Sequence, residues 1–210
     1  MRLISAAPSP YARKVRIALA EKQLRFELVT EVPWNQDTSL PRFNPLEKLP
    51  VLVLDDGTSW YESNLILEWI ERHYPEPRLL PADPDAALAA RRALILADGV
   101  CDAFLLVFFE RQRPPDHQSA PWIARQMRKI EGGIGELARL AGGRRVVVGE
   151  ALSWGDLGIG CALLYLDLRF PELPWRTRHA ELARYVDRLA ERPSFRDTLP
   201  AVQTIRDAVV

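Results

Sequence analysis

The chain has 210 residues, 28 basic and 28 acidic side chains, and a formal net charge of zero. That balance lacks the broad positive field that binding to nucleic acid or an anionic membrane requires, and no apolar run approaches the roughly 18 residues of a membrane span. A small-molecule partner is the remaining expectation, with no nucleic acid and no membrane. The opening Met1-Arg2-Leu3-Ile4-Ser5 reaches prolines at Pro8 and Pro10, too soon for the apolar core of a signal peptide, so the cytoplasm is the expected compartment. Cys101 and Cys161 stand far apart, without CxxC spacing or a nearby histidine. They read as small core residues, and neither a metal site nor a disulfide framework is expected.

Residues 2–5 read as a short strand and Ala7-Pro8-Ser9-Pro10 as a tight loop. Residues 11–22 carry helical spacing at Val15, Ile17, Ala18 and Leu19. A second strand at 26–29 gives way to an irregular stretch through Pro33, Trp34 and Pro41 to Asn44-Pro45. The apolar run 49–54 stops at Asp55-Asp56-Gly57, a hairpin turn before a brief strand around Trp60 and Tyr61. Glu62-Ser63 then opens a helix with apolar residues at Leu65, Ile66, Trp69 and Ile70. After a proline-rich stretch the composition changes class. Asp83-Pro84 reads as an N-cap with proline at the first helical position, starting a helix to about Arg111. Further helices are expected at 122–140, 153–170 and 179–191, with Val146-Val147-Val148 as the one strand-like run. The class is α/β plus all-α: residues 1–76, a linker at 77–84, and a helical unit at 85–210.

Ser153-Trp154-Gly155-Asp156 is the sharpest local signal in the second half. It places a hydroxyl at a helix N-cap and an acid three residues on, with Leu152 and Leu157 at staple spacing. The expected role is structural, with about 1 kcal/mol of stability lost on removing Asp156.

Three pieces of the first half belong together: Ser9-Pro10-Tyr11 at a helix start, Asn44-Pro45-Leu46-Glu47-Lys48-Leu49-Pro50 before a strand, and Glu62-Ser63 at another helix start. With the helical second half and the Ser153 capping box, they resemble the cytosolic glutathione transferases. The likeness is to bacterial, serine-type members related to the theta, zeta and tau classes, and it spans nearly the whole chain. The resemblance implies a thioredoxin-like βαβαββα domain that binds glutathione, followed by an all-helical domain that supplies the electrophile site.

It also implies roles for particular residues. Ser9 would donate to the glutathione sulfur, a role compatible with N-capping because a hydroxyl both accepts and donates. Tyr11 is a rival donor, with Ser9 preferred. Lys48 would approach the glycine carboxylate, and Leu49, before a cis Pro50, would pair through its backbone with the cysteinyl unit. Ser63 and its helix amides would receive the γ-glutamyl carboxylate while Glu62 faces the ammonium. No cysteine lies between Ser5 and Tyr11, which leaves no protein thiol there for disulfide exchange. The electrophile should lie over the long helix, with Tyr11, Trp34, Asp102 and Phe109 as candidate wall residues. Asp98 and Asp102, four apart on one face, read as a solvated face paired with nearby arginines. Relatives of this kind are usually homodimers with a detoxifying role. Left open are a non-enzymatic regulator on the same fold, and a glutathione-dependent peroxidase, isomerase or dehalogenase.

Overall fold

The computed structural model describes residues 1–209. Strand β1 (Arg2–Ser5), helix α1 (Pro10–Glu21) and strand β2 (Glu27–Thr30) form the first unit, and β3 (Val51–Val53), β4 (Ser59–Tyr61) and α2 (Ser63–His73) the second. The sheet order is β2-β1-β3-β4, with β1 parallel to β2 and antiparallel to β3. Leu3 sits opposite both Leu28 and Leu52, and Leu52 opposite Trp60. The hairpin closes where expected: Leu54 donates its amide to Thr58 O at 2.9 Å, and Gly57 takes φ +87°, which the turn requires. Between β2 and β3 the expected helix is reduced to a 3-10 turn, Leu40–Arg42. Pro33, Pro41 and Pro45 lack the amide donors that a longer helix would need there.

Helix α1 has two buried faces. Val15 and Leu19 pack with Leu3, Leu52, Ile66 and Ile70, while Ile17 and Ala18 belong to the core of the helical domain. That second domain consists of α3 (Pro84–Glu110), α4 (Ala120–Ala141), α5 (Trp154–Arg169), α6 (Trp175–Arg178), α7 (Ala180–Ala190) and α8 (Pro193–Arg196). Asp83 caps α3 by accepting from the Ala86 amide at 2.8 Å, with Pro84 at its first position. Helix α5 comes so close to α3 that a Cβ on Gly158 would stand 3.1 Å from the Leu94 Cα. The glycine is what permits the approach. Helices α6 and α8 escape sequence reading because four residues make barely one turn, too few to show a period.

Residues 146–148 form no strand. The Val147 amide donates instead to Asp156 Oδ1 at 2.8 Å. The capping box at Ser153 closes, with the Ser153 amide donating to Asp156 Oδ2 at 2.7 Å, and the Ser153 hydroxyl also donates to that oxygen at 2.7 Å. The Tyr185 hydroxyl of α7 donates to Oδ1. Asp156 is fully buried and ties together the 146–148 segment, α5 and α7, so it is more than a local cap.

Replacing Asp156 by alanine strands four buried donors, each worth about 1–3 kcal/mol when left unmade. We therefore expect Asp156→Ala to lose about 3 kcal/mol or more in urea unfolding, beyond the roughly 1 kcal/mol of an ordinary cap.

Candidate functional site

The loop after β1 is tight, with the Ser9 amide donating to Ala6 O at 3.1 Å. Ser9 has extended backbone angles and its Oγ accepts from the Ala12 amide at 3.2 Å, so it is the N-cap of α1, with Pro10 at the first helical position. Accepting leaves the hydroxyl proton available for another group. The half-buried side chain borders a cleft.

The segment before β3 is pinned by Asn44, which is buried. Its side-chain amide donates to Lys48 O at 2.7 Å, and its Oδ1 accepts from the Leu46 amide at 2.9 Å. These bonds place Lys48, exposed, and Leu49, half-buried, on the rim of the same cleft, and the Leu49–Pro50 peptide is cis. Pro50 itself is buried beneath.

At the start of α2, Glu62 takes φ +71° and ψ 116°, a conformation that costs a non-glycine residue about 1–3 kcal/mol. Its carboxylate caps the helix, accepting from the amides of Asn64 at 3.0 Å and Leu65 at 3.2 Å. The buried Ser63 donates its hydroxyl to Glu62 Oε1 at 3.3 Å. The two residues thus form an anion-holding helix terminus, with the negative charge supplied by Glu62 itself. They lie outside the residues that line the cleft.

The cleft has a volume of about 190 Å³ and opens to solvent. Its first-domain wall carries Ser9, Tyr11, Lys48, Leu49 and the Val32-Pro33-Trp34 turn, and its helical-domain wall carries Leu105, Phe108, Phe109, Tyr165 and Arg169. Trp34 and Phe109 meet across it, ring centroids 4.3 Å apart, and the Arg169 guanidinium lies 4.8 Å over Phe108. Of the expected residues, Ser9, Tyr11, Trp34, Lys48, Leu49 and Phe109 converge here. Asp102 does not. It faces a shallow neighbouring groove with Leu106 and Trp122, and its carboxylate accepts a hydrogen bond from the Tyr11 hydroxyl. Tyr165, Arg169, Gln203 and Ile205 also border the cleft without having been picked out from the sequence. They come from chain segments more than 150 residues away from Ser9, and nothing local marks them.

Asp98 and Asp102 are not paired with arginines. Lys14, almost wholly buried in α1, donates to both Asp98 oxygens at 2.6 and 2.7 Å and to Asn64 Oδ1 at 2.8 Å, while Asn64 Nδ2 donates to Asp98 Oδ2 at 3.0 Å. Burial lifts the Asp98 carboxyl above the usual carboxylate range, against the pull of Lys14. Burial, then Cys101 and the contact with Asp102, raise the Tyr11 phenol far above its ordinary value, so it stays protonated and committed to Asp102. Both cysteines are buried. Burial pushes the Cys161 thiol up to about 11 and raises Cys101 likewise, which leaves neither as a thiolate at neutral pH.

A four-stranded mixed sheet with a cis-proline loop, a hydroxyl at the first helix N-terminus and an apolar cleft walled by a helical bundle define a thioredoxin-like domain joined to an all-helical domain. Residues 8–73 match the family model described as "Glutathione S-transferase, N-terminal domain", and residues 120–188 the one described as "Glutathione S-transferase, C-terminal domain". The chain belongs to the glutathione S-transferase family. It is 36% identical to the Escherichia coli protein "Uncharacterized GST-like protein YibF", over 95% of this chain and 98% of that one. A crystal structure of a glutathione S-transferase from Methylobacterium radiotolerans, in complex with glutathione sulfonate, matches with a TM-score of 0.98 at 63% identity, covering 100% of this chain and 99% of that one. Another from Methylobacillus flagellatus, with glutathione bound, matches with a TM-score of 0.92 at 38% identity, covering 95% and 99%.

Asp98→Ala would leave the Lys14 ammonium buried without a counter-charge, holding only its hydrogen bond to Asn64 and its place 5.7 Å over the Tyr11 ring. We expect a loss of about 3 kcal/mol or more in chemical unfolding, the scale for removing one member of a buried ion pair.

Proposed function

We propose that the protein is a cytoplasmic glutathione transferase that binds glutathione, steadies its thiolate through Ser9, and adds the sulfur to an apolar or aromatic electrophile. The observation that carries this reading is the coincidence of three features at one place: an unspent hydroxyl proton on Ser9, the N-terminus of α1 behind it, and an apolar cleft in front of it.

Free glutathione has a thiol pKa near 8.5, so only a few per cent is nucleophilic at neutral pH. Lowering that value by about two units requires roughly 2.7 kcal/mol of selective stabilisation of the anion. A hydroxyl hydrogen bond together with the positive end of a twelve-residue helix in a partly dry cleft supplies energy of that order. Lys48 on the rim is the cation for the glycine carboxylate, Leu49 offers backbone pairing to the cysteinyl unit, and Glu62 with Ser63 receives the γ-glutamyl end. In binding there, the γ-glutamyl carboxylate competes with the Glu62 carboxylate for the α2 amides and frees Glu62 for the ammonium. The sulfur then attacks the electrophilic carbon with its lone pair, and the electron pair of the broken bond leaves with the leaving group. Tyr11, held by Asp102, serves as wall and not as thiolate donor. In this scheme residues 1–76 bind glutathione, 77–84 link, and 85–210 wall the electrophile.

We also propose a homodimer. On α3, Leu88, Ile95, Gly99 and Leu106 recur at helical spacing along one exposed face, with Leu88 66% and Ile95 63% accessible, and Leu65 of α2 is exposed as well. An apolar stripe of this kind on a folded chain favours burial against a partner.

The direct test is an ultraviolet thiolate titration of bound glutathione. Ser9→Ala should raise the bound thiol pKa by one to two units, at about 1.4 kcal/mol per unit, and Tyr11→Phe should leave it nearly unchanged. A wild-type chain that flows unretained through a glutathione-affinity column would defeat the enzyme reading. For the dimer, wild type should sediment at twice the chain mass and Ile95→Glu as a monomer.

A further inference from the structure

Beyond α8 the chain has no regular secondary structure and runs back across the loops of the first domain. Between residues 201 and 207 burial alternates: Gln203, Ile205 and Asp207 are half-buried, while Ala201, Val202, Thr204 and Arg206 are exposed. That is the period of an extended strand lying on a surface, with one row of side chains turned inward. The inward row is polar, apolar, polar: Gln203 and Ile205 border the cleft, and Asp207 meets the loop just beyond Trp34.

Gln203 joins two loops. Its Oε1 accepts from the Ala7 amide at 3.2 Å and its Nε2 donates to Glu31 O at 3.3 Å. A primary amide carries its acceptor and its donors on separate atoms and so satisfies an N–H of one loop and a C=O of another at once. Ala7 is two residues before Ser9, and Glu31 is three before Trp34. Ile205 borders the cleft between them. Asp207 accepts from the Gln36 amide at 2.6 Å, the Arg206 amide donates to Asn35 Oδ1 at 3.0 Å, and the Arg206 guanidinium pairs with Asp37 at 2.6 Å. The Ala201 amide adds a bond to Ala7 O at 3.3 Å. The whole segment is thus stitched to the two loops that carry Ser9 and Trp34.

We propose that this segment is a working wall of the site: Gln203 is a positioning residue that holds the Ser9 loop against the Trp34 loop, and Ile205 sets the width of electrophile the cleft accepts. The proposal rests on the glutathione reading above for its chemical consequences, but not for its geometry. A misplacement of Ser9 by a fraction of an ångström weakens a directional bond to sulfur, and one branched side chain at a pocket wall is enough to reorder substrates by size.

The test uses the full chain as wild type, Gln203→Met and Ile205→Ala. Methionine keeps the length of the side chain and removes both hydrogen bonds. Gln203→Met should raise the exchange rate of the Ala7 amide about tenfold. It should also lower kcat about tenfold and raise the bound thiol pKa, with the KM for glutathione held within about twofold, since Lys48, Leu49 and Ser63 are untouched. Ile205→Ala should shift kcat/KM toward the bulkier members of a series of aryl chlorides by about tenfold. Without any glutathione, it should also change the affinity of the cleft for an anilinonaphthalenesulfonate dye. Wild-type amide exchange and thiol titration in Gln203→Met, together with wild-type dye affinity and substrate ranking in Ile205→Ala, would overturn the proposal. If wild type itself holds no glutathione, the transferase reading fails separately, and the exchange and dye measurements still decide whether tether and wall exist.

Discussion

The geometry of the site hangs on one buried ammonium. Lys14 leaves the face of α1 that meets the helical domain, reaches α3 and ends among the two oxygens of Asp98 and the side-chain carbonyl oxygen of Asn64. Desolvating a lysine and an aspartate is expensive, and the pair is tolerable because its donors and acceptors are satisfied by each other and by the Asn64 amide. The arrangement fixes three helices relative to one another. Helix α1 carries Ser9 at its tip, α2 carries Glu62 and Ser63 at its tip, and α3 carries Leu105, Phe108 and Phe109 farther along. A buried charge has few alternative places to go, so the clamp specifies orientation more firmly than apolar packing between the same helices could.

A second buried carboxylate plays the corresponding part inside the helical domain. Asp156 begins as a local cap and becomes the meeting point of the 146–148 segment, α5 and α7. That hub supports α5 where Gly155 and Gly158 bring it against α3. The far end of α5 presents Tyr165 and Arg169 to the cleft, so the apolar wall of the site is held by an interaction two turns or more away from it. The two domains divide the chemistry accordingly. The first domain brings the Ser9 helix tip, the Asn44-pinned loop and Lys48 to the cleft, and the second brings aromatic side chains with the Arg169 guanidinium among them.

What the amino-acid sequence determined by itself were caps, turns and helical periods, each decided within about four residues along the chain. Ser9 before Pro10, Asp83 before Pro84 and Ser153 before Asp156 each satisfy their own helix amides locally, and Asp56-Gly57 makes the turn between β3 and β4 by its own backbone freedom. The apolar spacings of α1 to α5 and α7 are visible for the same reason. The NPxxKLP and ES elements pointed by resemblance to the glutathione S-transferase family, and the matches to its N- and C-terminal domain models bear that out.

Only the tertiary structure decided which distant residues share a space. Lys14 reads as one more basic residue in a helix until α3 brings Asp98 to it, and nothing along the chain joins Tyr11 to Asp102 until the fold sets the phenol hydroxyl against that carboxylate. Val147 looked like strand because its residue type favours one, but its amide found a buried carboxylate before it found a neighbouring strand. Arg169, Gln203 and Ile205 carry no local mark at all. The physical reason is common to all of them: burial, ion pairing and cleft formation depend on surfaces that chain folding brings together. The Val147 bond spans 9 residues and the contacts of Lys14, Tyr11 and Gln203 span 50 to 196, whereas caps, turns and periodicity are settled by nearer neighbours.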